Sequence, residues 1–306
     1  MMLCYALVLT SPPEAPAVTT NVARTAAALL PDGAELQQDW LSDGEAWQAL
    51  FVSGDPDEPA RIRAAVSEAL SRLPIDVNVV PNDIAWTRKK LLVADMESTI
   101  IAQECLDELA EFVGLRARIS DITARAMRGE LDFEAALKER VGLLKGLDAA
   151  VLQKLYDEKV TLIPGARELV ATMRANGAYC ALVSGGFTFY TSRIAERVGF
   201  DSHQANTLEI ADGKLVGTVA MPVLGREAKL EALETLRAKL GLLEMDTLAV
   251  GDGANDLAMI GKAGLGVAFH AKPIVAAEAR ASVRHGDLTT LLYLQGYKRS
   301  EFRTAV

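Results

Sequence analysis

The sequence predicts an α/β protein: a Rossmann-like parallel sheet with a helical cap insertion, preceded by a small α+β domain. Short apolar runs alternate with helical patterns through residues 86–306, which is typical of a parallel sheet covered by helices on both faces. Residues 1–85 show a different alternation of strand and helix patterns, and one long segment of the larger part is helical throughout. The length of 306 residues suits roughly two domains.

Residues 1–85 are predicted to form a ferredoxin-like α+β domain. Their order is β-α-β-β-α-β, with one strand that the sequence does not resolve. The resolved elements are strands at Leu3–Leu9, Trp47–Val52 and Ile75–Val80, and helices at Thr20–Leu30 and Arg61–Leu73. Turn-forming residues at Pro81-Asn82-Asp83 mark the end of this part.

Residues 86–306 are predicted to contain the parallel sheet. Four apolar runs read as its strands: Leu91–Ala94, Tyr179–Val183, Thr247–Val250 and Leu265–Phe269. Helical patterns lie between them, at Arg167–Asn176 and Arg226–Leu240. Ligands of such sheets bind beyond the carboxyl ends of the strands. Because Asp95, Ser184 and Asp252 each follow a strand closely, we expect them to share one site.

The segment Cys105–Tyr156 has no strand pattern and reads as helices, with Asp121 and Asp132 as expected N-caps. We interpret it as a helical cap insertion at about residues 105–160 that lies over the strand edge. Farther along, Asp212-Gly213 separates two apolar runs. This dipeptide is a strong signal for a two-residue β-hairpin.

The charge is distributed unevenly. The net charge is −9, and residues 1–85 hold 12 acidic and 4 basic side chains. An acidic chain without clustered Lys and Arg is a poor nucleic-acid binder, so no nucleic-acid partner is expected. Three widely spaced cysteines give neither a disulfide framework nor a zinc site. No membrane segment or signal peptide is evident, and we expect a cytoplasmic protein.

The strand-end residues together supply the groups that phosphoryl transfer requires. Asp95 offers a carboxylate nucleophile and Lys229 a cation. Ser184-Gly185-Gly186 offers a hydroxyl and backbone N–H groups that can approach an anion closely, because glycine lacks a Cβ. The segment Gly251-Asp252-Gly253-Ala254-Asn255-Asp256 offers carboxylate and amide oxygens. These are the ligands that Mg²⁺ prefers.

Other sites do not fit the spacing. An EF-hand that begins at Asp252 needs Gly at its sixth position and Glu at its twelfth, where Leu257 and Ala263 stand. The GxxxxGK[ST] motif of P-loop NTPases is absent from the sequence. A GxSxG nucleophile elbow needs a glycine two residues before the serine, and Leu182 stands there before Ser184.

The same residues resemble a known family. Asp95-Met96-Glu97-Ser98-Thr99 resembles the first motif of the haloacid dehalogenase-like phosphatases, usually Asp-x-Asp-x-Thr. Ser184-Gly185, Lys229 and Gly251–Asp256 resemble motifs two, three and four, in order. Met96, Ser98, Val183–Phe187 and Ala126–Phe133 are more narrowly similar to the phosphoserine phosphatases. The resemblance covers about residues 88–295, and the N-terminal part is more weakly similar to ACT-like domains.

The resemblance implies a catalytic and metal-binding set. It implies that Asp95 is the nucleophile of an aspartyl-phosphate mechanism and that Glu97 is the general acid and base. It implies that Mg²⁺ is held by Asp95, Asp252 and the backbone carbonyl of Glu97, with Asp256 in an outer, supporting position. Lys229 would neutralise charge on the phosphate.

It also implies a substrate-binding set for O-phospho-L-serine. Glu104 would face the substrate ammonium and Arg140 its carboxylate, which matches a guanidinium with two parallel hydrogen bonds. Met127 and Phe133 would line the cap, although packing roles explain them equally well. The phosphate-binding residues would be Ser184, Gly185, Lys229 and Asn255.

One position departs from the family pattern. The family has Asp two residues after the nucleophile, and this chain has Glu97. Three interpretations stay open: a tolerated natural variant that still works as acid and base, a slowed enzyme, or a deliberate substitution.

The predicted function is Mg²⁺-dependent hydrolysis of phosphoserine, the last step of serine synthesis. The alternatives are a related phosphatase or phosphotransferase for another small phosphomonoester, and an amino-acid sensor with an impaired catalytic site. An amino-acid effector at the N-terminal domain and a homodimer are further expectations that the sequence leaves open.

Overall fold

The computed structural model describes residues 2–31, 37–83, 87–127, 130–225 and 227–304, except the side chains at 124, 126 and 127. The N-terminal part is a four-stranded antiparallel sheet in the order β2-β3-β1-β4. Its elements are β1 (Leu3–Thr10), α1 (Thr20–Ala27), β2 (Gln37–Ser42), β3 (Ala46–Ser53), α2 (Glu58–Ala69) and β4 (Asp76–Pro81). This is the predicted β-α-β-β-α-β order, and β2 is the strand that the sequence did not resolve.

Local chemistry explains where the two N-terminal helices begin. Thr19 caps α1, because its hydroxyl accepts the N–H of Val22 at 3.3 Å. Helix α2 begins three residues earlier than predicted, with Pro59 in its first turn, where a missing N–H costs nothing. The two helices cover one face of the sheet, where Trp47, Phe51 and other apolar side chains are buried.

The larger part contains a six-stranded sheet in the order β12-β11-β10-β5-β6-β7, and all its strand pairs are parallel. Its strands are β5 (Leu91–Ala94), β6 (Tyr179–Phe187), β7 (Ser202–Asn206), β10 (Thr247–Gly251), β11 (Leu265–Phe269) and β12 (Ala281–Val283). Every residue of β5, β10 and β11 is buried. Continuous apolar runs are expected of strands that are covered on both faces.

Helices cover both faces of this sheet. The face-covering helices are α7 (Ala166–Ala175), α8 (Thr188–Val198), α9 (Glu227–Lys239), α10 (Leu257–Lys262), α11 (Pro273–Glu278) and α12 (Thr290–Tyr293). Four more lie between β5 and α7: α3 (Cys105–Phe112), α4 (Arg116–Met127), α5 (Phe133–Gly142) and α6 (Ala150–Lys159). Short 3₁₀ turns occupy Glu244–Asp246 and Arg299–Glu301. The limits of domains and cap that the sequence suggests stay predictions.

The predicted hairpin joins the helical layer. Strands β8 (Leu208–Ala211) and β9 (Lys214–Val219) pair antiparallel around Asp212-Gly213. Leu215 exchanges backbone hydrogen bonds with the turn after α5, accepting from Gly146 and donating to Leu147 at 2.8 and 2.9 Å. The hairpin therefore supports the cap helices from one side.

Two local expectations were wrong. Asp121 was expected to cap a helix, but α4 begins five residues earlier, after Gly114 ends the preceding turn in the left-handed region (φ 74°). Strand β6 was expected to end at Val183, but it continues to Phe187 with a register shift against β7. By contrast, Asp132 does cap α5, accepting the N–H of Ala135 at 2.7 Å.

The two sheets meet edge to edge at β4 and β12. The Asn78 side chain donates to the Ser282 carbonyl at 3.1 Å and accepts its N–H at 2.8 Å, as a neighbouring strand would. The carboxylate of Asp76 accepts the three N–H groups of residues 284–286, at 2.8 to 3.2 Å. Several of these side-chain-to-backbone hydrogen bonds are buried, which makes the contact between the two sheets specific. Within the described ranges, no helix has the length and apolar character that a membrane span needs.

Candidate active site

Asp95 directly follows β5 and is 4% exposed. Its backbone N–H donates to the Val250 carbonyl at 3.0 Å, so the ladder between β5 and β10 fixes its position. The N–H of Met96 donates to Asp95 Oδ1 at 2.8 Å, which leaves Oδ2 for other partners. A buried carboxylate held by backbone contacts at a strand end is preorganised for chemistry at that edge.

Lys229 on α9 supplies the cation at this position. Its Nζ lies 2.8 Å from Asp95 Oδ2 and 2.6 Å from Asp256 Oδ1, and all three side chains are buried. Burial alone lowers the pKa of Lys229, but the attraction of Asp95 and Asp256 outweighs it and raises that pKa above its ordinary value. Lys229 is therefore fixed as an ammonium between two carboxylates.

The turn after β10 brings two further carboxylates to the same edge. Asp256 Oδ2 accepts the N–H of Gly253 at 3.0 Å. A Cβ added to Gly251 would lie 2.3 Å from Asp256 Cγ, and one added to Gly253 would lie 2.3 Å from Asn255 Oδ1. Both glycines are needed because the backbone passes so close to these side chains.

The three carboxylates suit a divalent cation. One oxygen of each of Asp95, Asp252 and Asp256 lies within 4.8 Å of the others. Burial, and after it Asp256, raises the pKa of Asp252 to about 6. When all three carboxylates are ionised, Lys229 balances only one of their negative charges. Hard carboxylate oxygens with that excess charge fit an ion such as Mg²⁺.

The irregular end of β6 lies beside this cluster. Ala94 of β5 is in register with Leu182 of β6, so Ser184 follows on the neighbouring strand at the same edge. Ser184 is 2% exposed, and its Oγ accepts the N–H of Gly186 at 3.0 Å. The pairing of β6 with β7 shifts register between Val183 and Phe187, so this stretch lies outside the regular ladder.

Glu97 lies between this segment and the first cap helix. Its Oε1 accepts the N–H of Cys105 at 2.9 Å, so the carboxylate binds the N-terminus of α3. A Cβ added to Gly186 would lie 3.0 Å from both Glu97 carboxylate oxygens, so a larger residue there would crowd this carboxylate. Burial, and after it the charge of Glu104, raises the pKa of Glu97 to about 7. This value suits an acid that also acts as a base near neutral pH.

Ser98 and Glu104 meet at the mouth of the site. Ser98 has a left-handed backbone (φ 53°), which is uncommon for a residue with a side chain and concentrates at functional turns. Its hydroxyl donates to Glu104 Oε1 at 2.7 Å. Glu104 is exposed, so its carboxylate remains accessible to a ligand.

Two predicted substrate residues lie on α5. A Cβ added to Gly185 would lie 3.3 Å from Phe133 Cζ, so this ring covers the end of β6. Arg140 is half-buried, and its Nε donates to the Ala136 carbonyl at 3.2 Å. Burial lowers the pKa of Arg140, whereas the charges of Asp107, Glu97 and Glu104 oppose that shift. Met127 ends α4, and its side chain lies outside the described part of the chain.

Two contributing residues were missed by sequence reasoning. Asn206 donates to the Gly185 carbonyl at 2.9 Å and exchanges hydrogen bonds with the backbone of Leu224 at 3.3 and 2.8 Å. It therefore ties the end of β6 to the segment before α9. Asn206 ends β7, just as Asp95 follows β5, so its position at a strand end could have indicated it from the sequence. The charge of Asp107 on α3 opposes the lowering of the Arg140 pKa. Only knowledge of which faces of α3 and α5 meet could have indicated this residue.

Fold and site together define a hydrolase with a cluster of buried carboxylates and one lysine at the edge of a parallel sheet. The family model for haloacid dehalogenase-like hydrolases matches residues 92–261. The chain belongs to this family. The match spans β5 to α10 and so includes Asp95, Lys229 and Asp256.

Within this family, the chain is similar to proteins of one particular activity. The chain is 44% identical over 254 residues to a phosphoserine phosphatase of Streptomyces coelicolor, a match that covers 83% of this chain and 61% of that protein. It is 40% identical over 256 residues to phosphoserine phosphatase SerB2 of Mycobacterium tuberculosis, covering 84% and 62%. The chain thus spans about three fifths of these relatives' length.

A solved structure extends the similarity to nearly the whole chain. The unliganded crystal structure of a probable phosphoserine phosphatase from Vibrio cholerae superposes with a TM-score of 0.77 at 32% identity. That match covers 97% of this chain and 88% of the other. The N-terminal sheet is therefore included in the shared architecture.

Proposed function

We propose that the chain is a Mg²⁺-dependent phosphatase that hydrolyses O-phospho-L-serine to L-serine and phosphate. The observation that carries this proposal is the buried cluster of Asp95, Lys229, Asp252 and Asp256, at the edge where Ser184 and Gly185 end β6. Similarity to phosphoserine phosphatases supports the choice of substrate. We expect this reaction to be the last step of serine synthesis.

The first step is transfer of the phosphoryl group to the protein. A carboxylate oxygen of Asp95 attacks phosphorus, the bond between phosphorus and the serine oxygen breaks, and Glu97 protonates the departing alkoxide. Lys229, the Ser184 hydroxyl and the Gly185 N–H bind the phosphate oxygens and neutralise charge that develops on them. Mg²⁺ held by Asp95, Asp252 and the Glu97 carbonyl, with Asp256 supporting, would supply Lewis-acid stabilisation of the same charge.

The second step hydrolyses the aspartyl-phosphate. Glu97, now ionised, accepts a proton from a water molecule that attacks phosphorus. The acyl-phosphate P–O bond breaks, which returns Asp95 as a carboxylate and releases inorganic phosphate. Glu97 therefore donates one proton in the first step and regains one in the second.

The cap helices would select the substrate. Glu104, exposed beside Ser98, would bind the ammonium, and Arg140 on α5 would bind the carboxylate through two parallel hydrogen bonds. The Phe133 ring, which lies over Gly185, would close the space above the serine backbone, together with Met127. Asn255 would support the phosphate or the metal from the turn after β10.

Phosphate release from a panel of small phosphomonoesters, with and without Mg²⁺, tests this proposal. Phosphoserine should be turned over fastest, and chelation of Mg²⁺ should abolish turnover. Faster release from another ester would indicate a related phosphatase or phosphotransferase. Absence of release from every ester would favour the amino-acid sensor with an impaired site. A cytoplasmic location, an amino-acid effector at the N-terminal domain and a homodimer remain predictions. The three cysteines are free.

A further inference from the structure

A cavity of about 770 Å³ lies at the seam between the two sheets, away from the candidate active site. One wall is α2 of the N-terminal part, and the opposite wall is the segment around β12. Small side chains of α2 line its wall, at Ala60, Ala64 and Ser67. Ile75, Val77 and Val79 provide an apolar surface at its base.

Basic side chains from both sides line this cavity. Arg63 comes from α2, and Arg280, Arg284 and His285 come from the segment around β12. Asp76 is the acidic residue among the lining side chains, and its oxygens accept the N–H groups of residues 284–286. The lining therefore carries an excess of positive charge.

In the part of the chain that the structure describes, the side-chain hydrogen bonds of these arginines go to backbone carbonyls. Arg63 donates to the Arg280 carbonyl at 3.3 Å, and Arg280 donates to the Gly264 carbonyl at 3.4 Å. Within the described ranges, neither these two nor Arg284 forms an ion pair with a carboxylate. Burial, and after it the like charge of Arg284, lowers the pKa of Arg63. Three guanidinium groups beside one cavity are an unfavourable arrangement that an anion would relieve.

We propose that this seam cavity binds a small organic anion. Its charged group pairs with Arg63 and Arg284 from the two sides of the seam, since a guanidinium matches a carboxylate or phosphate with two parallel hydrogen bonds. Its apolar part lies on the surface formed by Ile75, Val77 and the small side chains of α2. The site is independent of the phosphatase proposal, because it shares no residue with that site.

Fluorescence titration with 8-anilinonaphthalene-1-sulfonate, an aromatic anion, tests the site in the full chain. Arg63→Met and Arg284→Met each remove one cation of the cavity. Arg61→Met is the matched control, because Arg61 lies on the same helix, is exposed and pairs with Asp55. Arg284 is exposed, so its variant keeps the fold even where Arg63→Met does not, and thermal unfolding checks both.

The dissociation constant of the dye should rise about 10-fold or more in both cavity variants, because each loses one charge-assisted hydrogen bond. It should stay unchanged in Arg61→Met. Benzoate should displace the dye, and its neutral analogue benzyl alcohol should not. Equal affinity in Arg284→Met and Arg61→Met, or displacement by benzyl alcohol as strong as by benzoate, would overturn the proposal.

Discussion

The ammonium of Lys229 lies 2.8 Å from Oδ2 of Asp95 and 2.6 Å from Oδ1 of Asp256, with all three groups buried. The proposed nucleophile therefore shares its counter-charge with a second carboxylate. This relationship links catalysis to stability, because any change in the number of charges in the cluster alters both.

Lys229→Met should destabilise the protein and stop turnover. Removing the ammonium leaves Asp95 and Asp256 buried without a partner, which costs about 3–5 kcal/mol. Urea unfolding without Mg²⁺ should show this loss, and saturating Mg²⁺ should restore part of it. Lys239→Met is the control, since Lys239 is exposed on the same helix. Equal unfolding midpoints for the two variants would contradict the account.

Glu97 should act as both acid and base. Glu97→Gln keeps the size of the side chain but removes the titrating group, so turnover should fall roughly 10²–10⁴-fold. Glu97→Asp keeps the carboxylate, shortens its reach and should retain more activity than Glu97→Gln. Steady-state turnover with phosphoserine is the measurement. The role is wrong if both variants match the parent.

Arg140 should matter only for substrates that carry a carboxylate. Arg140→Ala should reduce kcat/KM for phosphoserine about 10- to 100-fold, the loss of a charge-assisted hydrogen bond, and leave p-nitrophenyl phosphate nearly unaffected. Lys138→Ala serves as the control, since Lys138 is exposed on α5 and pairs with Glu134. Equal losses with the two substrates would show that Arg140 only supports the cap structure.

Gly251 should not tolerate a side chain. In Gly251→Ala the new methyl would overlap Asp256, so both Mg²⁺ affinity and turnover should fall. Gly261→Ala is the matched control, because a Cβ there has nothing within 4 Å and Gly261 lies inside α10. It should raise the free energy of unfolding by about 0.5–1 kcal/mol. Unchanged Mg²⁺ affinity in Gly251→Ala would contradict the proposed geometry.

Lys89 should make stability depend on alkaline pH. Burial lowers its pKa to about 8, despite the opposing charge of Asp246, whereas the unfolded chain titrates near the ordinary value of about 10.4. Between these values the unfolded state binds more protons, so this group's contribution to the free energy of unfolding rises with pH. Urea unfolding from pH 7.5 to 10 should show that rise in the parent. Lys89→Met should show a flatter profile, and an identical slope in both proteins would refute this role.

The sequence predicted the groups that follow each strand but not the contacts they make. Continuous apolar runs fixed the positions of β5, β10 and β11, and therefore placed Asp95 and Asp252 at one edge. Strand β2, with its polar Gln37–Ser42, lacks such a run and escaped detection. It is stabilised by pairing with β3, a tertiary contact that overrides weak local propensity.

Long-range side-chain contacts were beyond sequence reasoning for a physical reason. Periodicity tells which face of an element is buried, but not which distant residue meets it. Asp76 meets Arg284 across 208 residues of chain, and Asn206 reaches Gly185. The motif around Asp95 indicated Glu97. Its hydrogen bond with the Cys105 N–H depends on where the N-terminus of α3 lies in the folded chain, which the motif does not predict.

Phosphate release from phosphoserine by the parent and by Asp95→Asn, with Mg²⁺ present, tests the central claim most directly. The amide keeps the size of the side chain but cannot form the aspartyl-phosphate, so turnover should disappear while circular dichroism shows an intact fold. Turnover by Asp95→Asn at a rate comparable to that of the parent would contradict the covalent mechanism.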